Sequence, residues 1–181
     1  YSDSPQGQYA FFSFQGNYLY TSSTYNHTRL WSISNWEAIE SKSLDFRSLS
    51  RCAISPDNRY FLTTDNDTVL FWEMSRDQSN KEKPVISRQI RIPGSWVRSL
   101  SFSPDGQYLL TVSYPDGIVR IWDLSTSEVL QSIGRDDIKP YSGLDFAEFS
   151  PDGRLIVTDG GASIRVWDWK TKTQIQSFLV D

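Results

Sequence analysis

Apolar and polar residues alternate along the chain in short runs, and turn-forming residues separate these runs. Residues 97–102 (VRSLSF) alternate large apolar with small or polar side chains, which is the period of a half-buried β-strand. Ser103-Pro104-Asp105-Gly106 then forms a turn, because proline presets φ, aspartate can bond its own backbone and glycine accepts positive φ. Further alternating runs follow at 107–113, 118–123 and 129–133. We therefore predict a four-stranded antiparallel meander.

The same order of strands and turns occurs three more times. The predicted strands are 9–14, 18–22, 28–31 and 37–43, then 48–54, 59–64, 68–72 and 85–90, and finally 144–149, 154–158, 163–167 and 173–178. The polar run at 75–83 is predicted to be an exposed hairpin loop. Because no window shows a 3.6-residue stripe, we predict an all-β chain of four repeats, at about 5–44, 45–92, 93–138 and 139–181.

A tryptophan follows each turn at nearly constant distance. Ser55, Ser103 and Ser150 each open a Ser-Pro-Asp triplet and precede Trp72, Trp122 and Trp167 by 17, 19 and 17 residues. A weaker copy leads from Ser13 to Trp31 over 18 residues. Regular repetition of this kind indicates an array of one structural unit.

Composition narrows the class of partner. The formal net charge is −4 and aromatic residues make up 14% of the 181 residues. Nucleic acids and anionic membranes attract clustered basic surfaces, so this charge argues against both. No apolar run approaches the roughly 18 residues of a membrane-spanning helix. Cys52 is the single cysteine, and we expect a cytoplasmic protein without an internal disulfide.

The side chains offer little for catalysis. His27 is the only histidine, and it lies in a Tyr-Asn-His-Thr sequence without an acid beside it. Asp65-Asn66-Asp67 lacks the downstream glycine and glutamate of a calcium loop, and Asp159-Gly160-Gly161 precedes no helix. Asp136-Asp137 is most simply a pair of solvated charges. We predict no enzyme activity, no cofactor and no metal.

Two segments carry a family resemblance. Ile118–Asp123 (IVRIWD) and Ser163–Asp168 (SIRVWD), together with the Ser-Pro-Asp-Gly turns, resemble the WD-repeat β-propeller family, and the resemblance extends over essentially the whole chain. It implies four-stranded blades in a ring around a channel. It also implies that four tryptophans form the blade core and pack one sheet onto the next, namely Trp31, Trp72, Trp122 and Trp167.

Departures from the family pattern concern its polar network. The family often carries Gly-His before each first strand, but Gly94-Ser95 and Gly134-Arg135 hold that place here. Six residues before the tryptophan the family favours aspartate, and only Asp116 matches. We expect the network to be absent or rebuilt, and rigidity to come mostly from packing.

The number of blades stays open between three arrangements. The chain is part of a longer propeller, which we favour, or it assembles with another chain or a second copy, or it closes alone as four blades. It lacks an initiator methionine, so we expect a processed chain or a piece of a longer one. Repeats bury their apolar faces only against neighbours, so we expect the isolated chain to associate.

The predicted binding face carries the loops into each first strand and those between second and third strands. Trp96 stands where other repeats have small residues, and tryptophan and arginine are enriched at interface hot spots. Propellers of this family commonly meet protein or peptide there. The predicted partner-binding residues are Trp96, Arg98, Arg47, Arg135, Lys139, Tyr141 and Asp145. Trp36 and Trp169 either pack under the outer strand or mark a second contact patch.

Two functions remain from the sequence. The first is a non-catalytic scaffold that binds a protein or peptide on the loop face. The alternative is a sensor or regulatory segment of a larger signalling or NTP-hydrolysing polypeptide whose activity lies outside this chain.

Overall fold

Four sheets make up the described part of the chain. The computed structural model describes residues 9–13, 16–22, 28–39, 51–76, 82–134, 144–160 and 163–179, and these ranges contain strands and turns but no helix. Neighbours along the chain are neighbours in each sheet, and every pairing is antiparallel. The predicted all-β class with four four-stranded antiparallel units is confirmed.

The strands of the four sheets have these bounds. The first sheet contains β1 (Tyr9–Phe12), β2 (Tyr18–Ser22), β3 (Thr28–Ser32) and β4 (Glu37–Ile39), and the second β5 (Cys52–Ile54), β6 (Tyr60–Asp65), β7 (Thr68–Arg76) and β8 (Glu82–Arg91). The third contains β9 (Trp96–Phe102), β10 (Tyr108–Tyr114), β11 (Ile118–Asp123) and β12 (Glu128–Ile133), and the fourth β13 (Ala147–Phe149), β14 (Leu155–Gly160), β15 (Ser163–Asp168) and β16 (Thr173–Leu179).

Several predicted boundaries differ from the strands observed, and two of the differences have a visible reason. The loop at 75–83 is shorter than predicted, because Ser75 pairs with Lys83 and Arg76 with Glu82. Backbone ladder bonds form irrespective of side-chain polarity, so a polar run can continue a hairpin. The strand predicted to begin at 144 begins at Ala147, since the carboxylate of Asp159 takes the N–H groups of the two preceding residues.

Shared apolar cores join the later sheets. Between the second and third sheets, Leu62, Val69 and Phe71 pack with Leu109 and Trp122. Between the third and fourth, a cluster of the same kind contains Leu110, Val119, Ile121, Ile156 and Trp167. Burying one such side chain stabilises a fold by about 1.5–3 kcal/mol. The repeated tryptophans of the third and fourth sheets therefore each pack their own sheet onto the preceding one.

Each repeated indole also makes one hydrogen bond. The Nε1–H groups of four tryptophans donate to threonine Oγ1 atoms of the second strands, over 2.9 Å for Trp31–Thr21, 2.9 Å for Trp72–Thr63, 2.9 Å for Trp122–Thr111 and 3.1 Å for Trp167–Thr158. Trp72, Trp122 and Trp167 are buried, and Trp31 is half-buried. The expectation that rigidity comes mostly from packing thus omitted a polar contact that recurs in every sheet.

The third sheet contains a further polar network. Arg120 donates from Nη2 to Asp116 over 2.7 Å and from Nη1 to Ser113 over 2.5 Å, and Ser113 donates to Asp116 over 2.8 Å. Burial opposes the charge on Asp116, but the bonds from Arg120, Ser113 and Ser95 hold its pKa below the ordinary value. Ser95 lies where the family often carries histidine, so in this sheet the network is rebuilt.

Candidate functional site

A β-bulge opens the third sheet at its first strand. In the pairing of β9 with β10, Tyr114 lies opposite Trp96, Ser113 opposite Val97 and Val112 opposite Ser99. Arg98 is therefore the extra residue of the bulge and has no partner in the ladder. Over the residues described, the other three first strands pair with their neighbours without such a shift. Bulges re-aim side chains and are over-represented near functional sites.

Two aromatic rings lie side by side at this bulge. Trp96 is 59% exposed, and its ring stacks beside that of Tyr114 with centroids 6.2 Å apart and planes 27° apart. Tyr114 is also exposed. Apolar rings of this size are normally withdrawn from water, so a pair that remains open to it is a surface suited to contact.

Arg98 lies on the same aromatic ring. Its guanidinium carbon is 4.8 Å from the centroid of Tyr114, within cation–π range. Its Nη1 lies 3.7 Å from the carboxylate of Asp145, which is an ion pair without hydrogen-bond contact. Trp96, Tyr114, Arg98 and Asp145 together are called the bulge site below.

Backbone hydrogen bonds hold the bulge site in place. The N–H of Val97 donates to the carbonyl of Asn66, in the β6–β7 turn, over 3.1 Å. On the other side, Asp159 accepts the N–H groups of Asp145 at 3.2 Å and Phe146 at 2.7 Å. The site therefore joins loops from three consecutive sheets on a rigid frame, as binding loops commonly do.

The structure brings together three of the seven predicted partner-binding residues, Trp96, Arg98 and Asp145. The other four, Arg47, Arg135, Lys139 and Tyr141, lie outside the described residues. Sequence reasoning missed Tyr114. Its signal was available in principle, because Tyr114 ends the strand that pairs with the one begun by Trp96.

The two remaining tryptophans differ in environment. Trp169 is buried, contacts Tyr108 edge to face at 5.1 Å, and donates to the carbonyl of Gly153 over 3.0 Å. It is therefore a core residue of the interface between the third and fourth sheets. Trp36 is 65% exposed in the β3–β4 turn.

The structure also bears on two other kinds of site, metal sites and membrane-spanning helices. The described ranges contain no group of three or more acids, histidines and cysteines arranged to hold a metal ion. Within those same ranges, no helix has the length and apolar character that crossing a bilayer requires. His27 lies outside the described residues.

Comparison with known proteins agrees with the architecture. A family model described as WD domain, G-beta repeat, matches residues 87–123 and 140–168. The chain is 26% identical over 144 residues to an uncharacterised WD repeat-containing protein of Synechocystis sp., covering 79% of this chain and 38% of that protein. It is 25% identical over 165 residues to the Protein LST8 homolog of Drosophila melanogaster, covering 88% and 50%.

A third relative has the highest identity of the three but the shortest overlap. This protein of Drosophila virilis, a component of eukaryotic translation initiation factor 3, is 31% identical over 117 residues, which are 62% of this chain and 15% of that protein. The chain thus spans half or less of the length of these relatives. The repeated Trp motifs, the meander sheets and these matches support a WD-repeat family for the chain.

Proposed function

We propose that the chain is a non-catalytic interaction scaffold, a WD-repeat segment that binds a protein or peptide on the face around the bulge site. The observation that carries the proposal is the exposed ring pair of Trp96 and Tyr114, with Arg98 held against it. Tryptophan, tyrosine and arginine are the residue types that dominate binding energy at protein interfaces.

The geometry supports binding because the side chains of the bulge site are already held in place before a partner binds. The rings of Trp96 and Tyr114 already contact each other, and Arg98 already lies on one of them. Side chains that are ordered before binding lose less conformational entropy when a partner arrives. Burial of the ring faces by a partner then contributes to affinity with little opposing cost.

Charge also favours a protein partner. The bulge site carries Arg98 and Asp145, one of each sign, whereas nucleic-acid sites collect basic residues. One relative is named as part of a translation initiation factor, which fits a role within an assembly.

A pull-down with matched double variants tests the proposal. Trp96→Ala/Arg98→Ala removes the hot-spot side chains, and Leu130→Ala/Arg59→Ala removes an exposed apolar side chain and an exposed arginine elsewhere. Proteins captured from a lysate are quantified, and binding of each specific one is then measured directly. We expect the first variant to weaken binding by about 30-fold, which corresponds to about 2 kcal/mol, and the control to leave it unchanged.

Equal binding by both double variants and the unmodified chain would remove the bulge site as the interaction surface. Circular dichroism and Trp fluorescence of both variants establish that the sheets remain folded.

A further inference from the structure

The arginines of the structure differ in how their donors are used. Arg120 makes two short hydrogen bonds, Arg59 donates to Glu73 over 2.9 Å, and Arg91 donates to Asp67 over 2.9 Å. Arg98, in contrast, approaches Asp145 no closer than 3.7 Å. A guanidinium has five N–H donors in a planar fork, so Arg98 retains donors for an incoming group.

The ring of Tyr114 fixes the position of the Arg98 guanidinium from one side. Tyr114 lies under the guanidinium at 4.8 Å, and Arg98 occupies the bulge, where the ladder offers it no opposite residue. A fork held by an aromatic face presents its edge to a planar, bidentate acceptor. Carboxylates have that geometry, and such pairs are shorter and stronger than neutral hydrogen bonds.

Asp145 is a weak competitor for the fork. Its side chain is largely exposed, and its contact with Arg98 is too long for a hydrogen bond. A partner carboxylate that approaches freely can make the short contacts that Asp145 does not make.

We propose that the bulge site recognises an acidic residue next to an apolar or flat side chain in an extended protein segment. Arg98 binds the carboxylate, and the exposed face of Trp96 takes the neighbouring side chain. Both contact one ring, Tyr114, so two nearby residues of one segment are expected to reach both. This inference rests on the proposed function and names the chemistry of its partner.

The test begins with a random peptide library displayed on phage and selected on the full chain. Enriched peptides are expected to carry Asp or Glu within two positions of an aromatic, aliphatic or proline residue. The best peptide and its Glu→Gln (or Asp→Asn) counterpart are then titrated by fluorescence polarisation. We expect the amide form to bind at least about tenfold more weakly, as loss of one charged hydrogen-bonded pair implies.

Three variants of the chain sharpen the result. Arg98→Gln should bind the acidic and amide peptides equally, and Asp145→Asn should bind the acidic peptide more tightly than the unmodified chain does. The matched control is Arg91→Gln, an exposed arginine already bonded to Asp67, which should preserve the full difference between the two peptides.

The outcomes separate this inference from the proposed function. Selected peptides that need Trp96 but bind equally well in the amide form would overturn acid recognition and leave the interaction surface in place. Absence of enrichment, or peptides indifferent to both Trp96→Ala and Arg98→Gln, would overturn both.

Discussion

At the scale of single residues, the indole of each repeat has two roles. Its ring fills the core between sheets, and its N–H needs a buried acceptor. Trp122 illustrates both, because its ring packs with Leu62 and Val69 while Nε1 donates to Thr111 over 2.9 Å. A buried donor that loses its acceptor destabilises a fold by about 1–3 kcal/mol.

Thr111→Val should therefore lower the free energy of unfolding by about 1–3 kcal/mol, although valine keeps the shape of threonine. Urea unfolding followed by Trp fluorescence measures the change. Thr173→Val, at an exposed position of β16, is the control and should change stability by less than about 0.5 kcal/mol. Equal effects of the two substitutions would show that the Trp–Thr bond contributes nothing.

The Trp–Thr pairs also mark what sequence could and could not predict at this scale. The spacing of the tryptophans could be recognised in the sequence, because each one lies 17 to 19 residues after the serine that opens its turn. The threonine that bonds each indole was not identified. Its distance from the tryptophan varies from 9 to 11 residues with the length of the intervening hairpin, so only the register of the two strands selects it.

At the scale of elements, the Ser-Pro-Asp turn is a hydrogen-bonded unit. In the fourth sheet, Ser150 donates to Asp152 over 2.6 Å and accepts the N–H of Leu155 over 3.0 Å. Asp152 also accepts the N–H of Arg154 over 3.0 Å, and Gly153 takes φ of 70°. The same contacts recur around Ser55 and Ser103, so each copy fixes the hairpin between the first two strands.

These bonds make the turn sensitive to acid. The hydroxyl of Ser150, and then the N–H of Arg154, hold the pKa of Asp152 below its ordinary value of 3.8. A carboxyl whose pKa is lower when folded stabilises the fold above its unfolded pKa, and this contribution disappears as pH falls through the folded pKa. Asp152→Asn keeps an acceptor oxygen but no charge.

We expect the unmodified chain to lose stability more steeply than Asp152→Asn as pH falls from about 5 toward 2. Urea midpoints measured across this range provide the comparison. Identical pH dependence in both proteins would mean that the turn does not stabilise the ionised form.

The elements of the bulge site were only partly predictable. Aligning the repeats on their turns singled out Trp96, which stands where the other copies have small residues, and Arg98, whose counterparts are Ser50 and Asp145. The bulge was not predicted, because a register shift depends on both strands and leaves no periodic signal in either. Tyr114 was missed for a different reason: the predicted strands, 97–102 and 107–113, each stopped one residue short of the pair that Trp96 and Tyr114 form.

At the scale of the whole molecule, the fourth sheet has a face that no described residue covers. Val119 and Ile133 of the third sheet are fully buried under the fourth. By strand pairing, their counterparts in the fourth sheet are Ile164 and Phe178, which are 37% and 53% exposed. Since the third and fourth sheets each cover the face of the one before, we propose that a further four-stranded sheet covers this face.

The isolated chain should therefore associate through that face, and Ile164→Thr/Phe178→Thr should reduce association. Threonine retains β-propensity while removing apolar area, so the sheet itself should persist. The matched control is Val129→Thr/Leu130→Thr, which changes two similarly exposed apolar residues on the outer edge of the third sheet. Light scattering on size-exclusion fractions gives the mass of the unmodified chain and of each double variant. Two results would contradict the exposed face as the cause of association: a monomeric unmodified chain, or an equal reduction of association by the control. The reason is that the positions of Ile164 and Phe178 correspond to positions buried between successive sheets, and those of Val129 and Leu130 do not.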